Sequence, residues 1–327
     1  MTDVPLISGY DALLSDLDGV VYAGPGAIDG AIEALDKLAE TGTALGYITN
    51  NASRSPEVVA AHLRSLGAPA APGQVFGSAW AGALLLARNV AAGSKVLVTG
   101  SHFLAEMVED QGLVPVRSAN DGPAAVIQGF DPSIGWKDLA EASYAIAGGA
   151  FWVATNTDMT IPQARGIAPG NGALVAAVQA STGAVPVVAG KPEATLFEAA
   201  AASLGARRPL VVGDRLDTDI LGGNNAGMDT AAVLTGVDTV ESILAARAAE
   251  RPRYLLADLR GLYQPYPEVV ADGGGAFRCG DSSATVEDGK LLLSGSRESL
   301  DTWRCACAAW WHAHPEADIA VSPRSVL

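Results

Sequence analysis

Short, mostly apolar runs that end in a carboxylate, a hydroxyl or glycine alternate with helical stretches along this chain, and that alternation limits the fold more than any other feature. Ala12 to Leu17 is such a run, followed by Asp18 and Gly19, and it reads as a buried strand feeding a loop. A helical pattern follows, with Ile32, Leu35 and Leu38 on one face and Gly42 as its stop. A second strand is expected over Ala44 to Thr49. Ser55, Pro56 and Glu57 then supply an N-cap, a proline at the first helical position and an acid in the first turn, with Gly67 closing the helix. The pattern returns later as a helix over Glu193 to Leu204, a strand over Leu210 to Gly213, a helix from near Asp217, and strands over Thr230 to Leu234 and Tyr254 to Leu256. Apolar strands alternating with helices imply a parallel sheet covered on both faces, with ligands beyond the carboxyl ends of its strands. Asp16, Thr49 and Asp214 lie at such ends.

Between the two halves lies a stretch with strand-like runs of its own at Lys95 to Thr99, Ala125 to Gln128 and Phe151 to Ala154. At 327 residues the chain exceeds what one hydrophobic core of up to about 250 to 300 residues holds. The expected organisation is an α/β, doubly wound, Rossmann-like core over residues 1–77 and 190–263, an inserted α/β domain over 78–189, and a short C-terminal appendage over 264–327. The appendage begins where the composition turns to proline and then to Gly273–Gly275, followed by alternating polar and apolar residues.

Four short motifs sit at the expected strand ends or helix starts: DLDGVVY from Asp16, ITNN ending at Asn51, GKPEATLF with Lys191, and GDRLDTD with Asp214, Asp217 and Asp219. Each alone is weak, since acidic loops and helix N-termini are common. In this order they resemble the four motifs of the haloacid dehalogenase superfamily. With TNNASRS after the second strand and a large insertion before the lysine, the pattern resembles its NagD-like branch, which includes phosphoglycolate and glycerol 3-phosphate phosphatases. The resemblance spans about Tyr10 to Leu262. It implies Mg²⁺ held by Asp16, Asp214 and the backbone carbonyl of Asp18, with Asp219 behind them. It also implies Lys191, the Thr49 hydroxyl and N–H groups near Asn50 around the phosphate, and a cap formed by the insertion.

The chemistry of the residues agrees. Residues two apart on an extended chain share a face, so Asp16 and Asp18 are expected to project together. Asp16 is then the candidate nucleophile, forming an aspartyl phosphate, and Asp18 the candidate acid and base. A phosphate monoester carries about two negative charges at neutral pH by analogy with phosphoserine, so a carboxylate attacking it needs a cation. Mg²⁺ prefers oxygen ligands and suits one or two carboxylates plus phosphate. The expected activity is Mg²⁺-dependent hydrolysis of a small phosphate ester, glycerol 3-phosphate ahead of phosphoglycolate. The same motifs also permit a phosphotransferase, and the fold alone permits a non-catalytic binding protein; the presence of both Asp16 and Asp18 argues against the latter. Haloalkanoate dehalogenation does not require the proton donor that Asp18 supplies.

Within the insertion, Asn156, Asp158 and Arg165 are candidate substrate-facing residues. The polar run of which Asn156 and Asp158 are part, Thr155 to Gln163, suits hydroxyl groups, while Arg165 suits a carboxylate. Residues 78–189 carry five basic and eight acidic side chains, and the whole chain 21 and 36, so no polyanion is invited. The expected partner is a small phosphorylated metabolite, not nucleic acid or a membrane, and homo-oligomerisation is left open. The opening MTDVPLISGYD, with Asp3 and no basic region before an apolar stretch, does not read as a signal peptide. The three cysteines, Cys279, Cys305 and Cys307, cannot form a disulfide framework for the rest, so a cytoplasmic location is expected. Trp303, Cys307, Trp310 and His314 recur at helical spacing and are read as a buried face in preference to a zinc site. The tail resembles part of an acetyltransferase-type domain, but it is too short for a whole one and no glycine-rich pyrophosphate loop is found, so acetyl transfer is not expected.

Overall fold

The computed structural model describes residues 4–163 and 165–326; Asp3 and the side chains of Pro162 and Gln163 lie outside that description. The chain divides into two compact units, one comprising Met1–Tyr47, Arg64–Pro69 and Ala201–Leu327, the other Ile48–Leu63 and Ala70–Ala200.

The first unit is built on strands hydrogen-bonded in the order Tyr254–Leu256, Asp229–Val233, Pro209–Gly213 and Ala12–Asp16, with most of Ala44–Thr49 next in line. The pairs made by Pro209–Gly213 with Ala12–Asp16 and with Asp229–Val233 are parallel. Every residue of Ala12–Asp16 and of Pro209–Gly213 is buried, as expected of strands covered on both faces. Register Ser15 opposite Val212 makes Asp16 and Asp214 leave neighbouring strands at the same edge of the sheet. Ala31–Leu38 forms the helix expected after the first strand and buries Ala31, Ala34, Leu35 and Leu38. After Asp214 the chain enters a π-helical turn, Leu216–Ile220, before the α-helix Leu221–Asn225.

The tail folds as an antiparallel sheet in the order Val270–Ala271, Phe277–Cys279, Ser282–Glu287 and Lys290–Ser294, followed by the helix Leu300–Ala313. The last two strands are joined by Asp288 and Gly289, both at positive φ (50° and 71°), the backbone of a tight two-residue hairpin turn. Trp303, Cys307 and Trp310 are buried on the helix as its spacing predicts, and the half-buried His314 packs its ring on Trp310 with centroids 4.2 Å apart. Burial pushes the Cys305 thiol up to about 11 and the Cys279 thiol up to about 12, which makes both poor thiolates.

This tail shares one hydrophobic core with the strands of the first unit. Leu291, Trp303, Cys307 and Trp310 pack in the same cluster as Leu216, Ile220, Ile243 and Leu255. Hydrogen bonds reinforce the junction: Arg304 Nη2 donates to the Leu255 carbonyl (2.9 Å) and Trp311 Nε1 to that of Leu244 (3.1 Å). Leu216 and Ile220 flank Asp219 in sequence, so the tail buttresses the turn that carries that carboxylate.

The second unit contains a five-stranded sheet in the order Val187–Val188, Phe151–Ala154, Ala125–Gln128, Lys95–Thr99 and Val114–Val116, with parallel pairings. Leu97, Val126, Trp152 and Ala154 on one face pack with Val175 and Val178 of the helix Asn171–Thr182. A hairpin, Thr160–Gln163 with Gly166–Pro169, precedes that helix. The helix Pro56–Ser65 starts at the expected proline, and its His62 is half-buried. Among the described residues no helix is long and apolar enough to cross a membrane.

Candidate active site

In the first unit, carboxylate oxygens of Asp16, Asp214 and Asp219 lie within 4.8 Å of one another. Asp16 is 9 % exposed, Asp214 2 % and Asp219 1 %, so the three are brought together in a largely water-excluded place. The third acid of that motif, Asp217, points outward and pairs with Arg215 (2.8 Å). The π-helical turn accounts for the split. Its wide winding turns Asp219 inward, where Oδ2 accepts the Arg215 N–H (3.2 Å), while Asp217 stays exposed.

Asp214 is gripped by backbone. Its Oδ2 accepts the Val237 N–H (2.8 Å) and its main-chain carbonyl accepts the Asp238 N–H (3.0 Å). Asp238 in turn accepts the Leu216 N–H (2.7 Å). A Cβ on Gly236 would stand 1.9 Å from Asp214 Oδ2, and one on Gly19 2.3 Å from it, so both positions require glycine. Gly19 also has φ +84°, a conformation that glycine adopts without strain. The sequence motifs missed the segment Thr235–Asp238, which acts mainly through N–H groups and close approach. Its one legible signal is a glycine just past the carboxyl end of an apolar strand.

Asp18 does not continue the strand. The Ala12–Asp16 strand ends one residue past Ser15, Leu17 turns inward, and Asp18 is exposed in a turn closed by the Gly19 N–H to the Tyr22 carbonyl (2.8 Å). The two-residue alternation therefore stops before Asp18, and its accessibility is set by the turn.

In the second unit Lys191, Asn156 and Asp158 gather around Asn50. Asn50 Oδ1 accepts the Lys191 N–H (2.8 Å), and Asn50 Nδ2 donates to the Lys191 carbonyl (3.1 Å) and to Asp158 Oδ1 (3.2 Å). The Asn50 carbonyl accepts from Asn156 Nδ2 (2.8 Å) and from the Ser78 hydroxyl (2.6 Å). Asn156 is 5 % exposed, its Oδ1 accepts the Asp158 N–H (3.2 Å) and its carbonyl accepts from Asn171 Nδ2 (2.7 Å). The polar run that reads as hydroxyl-binding is thus engaged, at Asn156 and Asp158, with Asn50. Arg165 is exposed between the two strands of the hairpin. The Thr49 hydroxyl accepts the Asn51 N–H (3.1 Å), and Asn51 Oδ1 accepts the N–H groups of Ser53 (2.9 Å) and Arg54 (3.1 Å), closing the loop after the strand.

Buried carboxylates converging at the carboxyl edge of a parallel α/β sheet match a hard divalent cation that takes oxygen ligands, Mg²⁺ above all. Crowded acids of this kind repel unless a cation neutralises them. The chain belongs to the haloacid dehalogenase-like hydrolases, a family that matches residues 13–114, with a second hydrolase-like match of the same superfamily over 188–262. Within that family it is a phosphatase. It is 42 % identical to the D-glycerol 3-phosphate phosphatase of Mycobacterium tuberculosis over 96 % of this chain and 89 % of the relative, a span that takes in most of the tail. An acid sugar phosphatase of Staphylococcus aureus is 39 % identical over 72 % of this chain and 90 % of its own length. The crystal structure of the glycerol phosphate phosphatase from M. tuberculosis in complex with magnesium superposes with a TM-score of 0.89 at 41 % identity, covering 99 % of this chain and 95 % of that one. A thermostable NPPase mutant from Geobacillus stearothermophilus superposes with a TM-score of 0.70 at 35 % identity over 76 % and 96 %.

Proposed function

We propose that this phosphatase hydrolyses small phosphate monoesters with Mg²⁺ through an aspartyl-phosphate intermediate, with glycerol 3-phosphate as the preferred substrate. The observation that carries the reading is the meeting of Asp16, Asp214 and Asp219 within 4.8 Å at the sheet edge. Asp16, Asp214 and the Asp18 carbonyl would hold the ion, with Asp219 fixing the turn behind them. When bound, the ion neutralises phosphate charge that would otherwise repel the nucleophile.

Asp16 attacks phosphorus in line, forming an O–P bond as the ester O–P bond breaks. Asp18 gives its proton to the departing alkoxide. In the second step Asp18 takes a proton from water, the water oxygen bonds to phosphorus, and the Asp16 carboxylate leaves as phosphate is released. The exposure of Asp18 suits a group that meets both leaving group and water. Lys191, 5 % exposed, supplies a point charge for the phosphoryl oxygens, and Thr49 with the N–H groups near Asn50 supplies further donors. Residues 78–189 act as a cap that limits substrate size. The cysteines are free and buried, which suits a reducing cytoplasm.

Glycerol 3-phosphate is favoured because this insertion has an excess of acids over bases and the M. tuberculosis relative carries that substrate in its name. The exposed Arg165 favours a second reading, phosphoglycolate, whose carboxylate an arginine would pair. The test is kcat/KM for both esters in the wild type and in Arg165→Ala, since that ratio reports transition-state discrimination. A preference for glycerol 3-phosphate of about tenfold or more that survives the change is expected, on the scale of specificity a small pocket supplies. A preference for phosphoglycolate that collapses without Arg165 would overturn the choice.

A further inference from the structure

We propose that Asn50, oriented by Asp158 and Asn156, is a positioning residue for Lys191 and does not itself use its side chain on the substrate. This rests on the assignment of Lys191 to the phosphoryl oxygens made above.

The Asn50 carboxamide and the main chain of Lys191 form a closed pair, the Lys191 N–H on Asn50 Oδ1 (2.8 Å) and Asn50 Nδ2 on the Lys191 carbonyl (3.1 Å). Two bonds to one residue fix both of its peptide groups, and with them the direction of its Cα–Cβ bond. An amide side chain can present either end, and its orientation follows from its partners. Here Asp158 decides it. The other hydrogen of Asn50 Nδ2 is directed at both oxygens of Asp158 (3.2 and 3.3 Å), and a carboxylate accepts but cannot donate. A flipped amide would set Oδ1 against that carboxylate and against the Lys191 carbonyl. Asn156 pins the other side by donating to the Asn50 carbonyl (2.8 Å). Both hydrogens of the Asn50 amide are spent in this way, and its oxygen is taken by Lys191. Aspartate at position 50 would lack the donor for the Lys191 carbonyl and would face Asp158 as a like charge. Glutamine would be one methylene too long for the closed pair.

The clamp matters because the charge of a lysine stabilises a transition state only where its stem delivers it, and displacements of about 1 Å can cost about 100-fold. The test is a double-mutant cycle on the full-length enzyme with Mg²⁺ and p-nitrophenyl phosphate, a substrate whose turnover does not depend on which metabolite is natural. Asn50→Ala is expected to lower kcat by about 10- to 100-fold with a smaller change in KM. In the Lys191→Ala background the same change is expected to cost less than about twofold, because residues that act through one another are not additive. Asp158→Asn keeps an acceptor for the Asn50 amide, so it should recover most of what Asp158→Ala loses. If Asn50→Ala does not fold, Asp158→Ala takes its place in the cycle. Equal losses with and without Lys191 would overturn the inference and make Asn50 a direct contact or a merely structural residue. A wild-type enzyme that releases no phosphate would instead refute the function on which the inference stands.

Discussion

Replacing Asp16 by asparagine is expected to stop phosphate release from every ester while leaving the fold intact. Asp16 ends a strand whose residues are all buried, and asparagine has nearly its shape, so packing is retained. The change also relieves repulsion, because one of the carboxylates crowded within 4.8 Å is lost. What disappears, on the proposed mechanism, is the nucleophile and a ligand of the ion. An amide oxygen is a far weaker nucleophile, and loss of a group central to covalent catalysis costs about 10⁴-fold or more. The comparison is phosphate release by wild type and Asp16→Asn at saturating Mg²⁺, beside thermal unfolding of both. Normal release by the folded variant would remove Asp16 from the mechanism.

Asp214→Asn and Lys191→Ala are expected to lose activity for different electrostatic reasons, and Mg²⁺ separates them. Asp214 is 2 % exposed and its Oδ2 is fixed by the Val237 N–H at 2.8 Å. Asparagine preserves an acceptor for that bond, so the site keeps its shape and loses one charge. Metal affinity falls, and a higher Mg²⁺ concentration restores part of the rate. Lys191→Ala removes the charge that the proposal assigns to the phosphoryl oxygens, which added Mg²⁺ is not expected to replace. Each change should cost about 10²- to 10³-fold at low Mg²⁺, the scale of a preorganised charge or donor in a buried site. The Mg²⁺ concentration giving half-maximal rate should rise for Asp214→Asn and stay near wild type for Lys191→Ala. An equal shift in both variants would contradict the division of roles.

Strands covered on both faces were the most legible part of the fold. The stretches Ala44–Thr49, Lys95–Thr99, Ala125–Gln128 and Phe151–Ala154 stand out as apolar runs, and the structure forms strands over those same residues. Burial on both faces leaves no alternation to blur their ends. The helix expected near Asp217 begins instead with a π-helical turn, whose winding carries Asp219 inward to the Arg215 N–H. A run of acids does not reveal which of its members turns in. Asp18 illustrates the same limit, since the alternation rule applies only while the strand lasts. Asn156 and Asp158 are polar, but their partner Asn50 is more than 100 residues away in sequence, and nothing local points to it. The tail helix showed its buried face at Trp303, Cys307 and Trp310. Periodicity tells which face is buried and not against what, so the shared core with Leu216 and Ile220 emerges only in three dimensions.

Metal-dependent hydrolysis by this chain is tested by phosphate release from glycerol 3-phosphate in water without any added acceptor, measured with Mg²⁺, after chelation, and after Mg²⁺ is restored. Equal amounts of inorganic phosphate and glycerol are expected, with loss of both on chelation and recovery with the metal. Release that is indifferent to chelation would contradict the role given to Asp16, Asp214 and the ion. Transfer that occurs only when a second alcohol is supplied would make the chain a phosphotransferase and not a hydrolase.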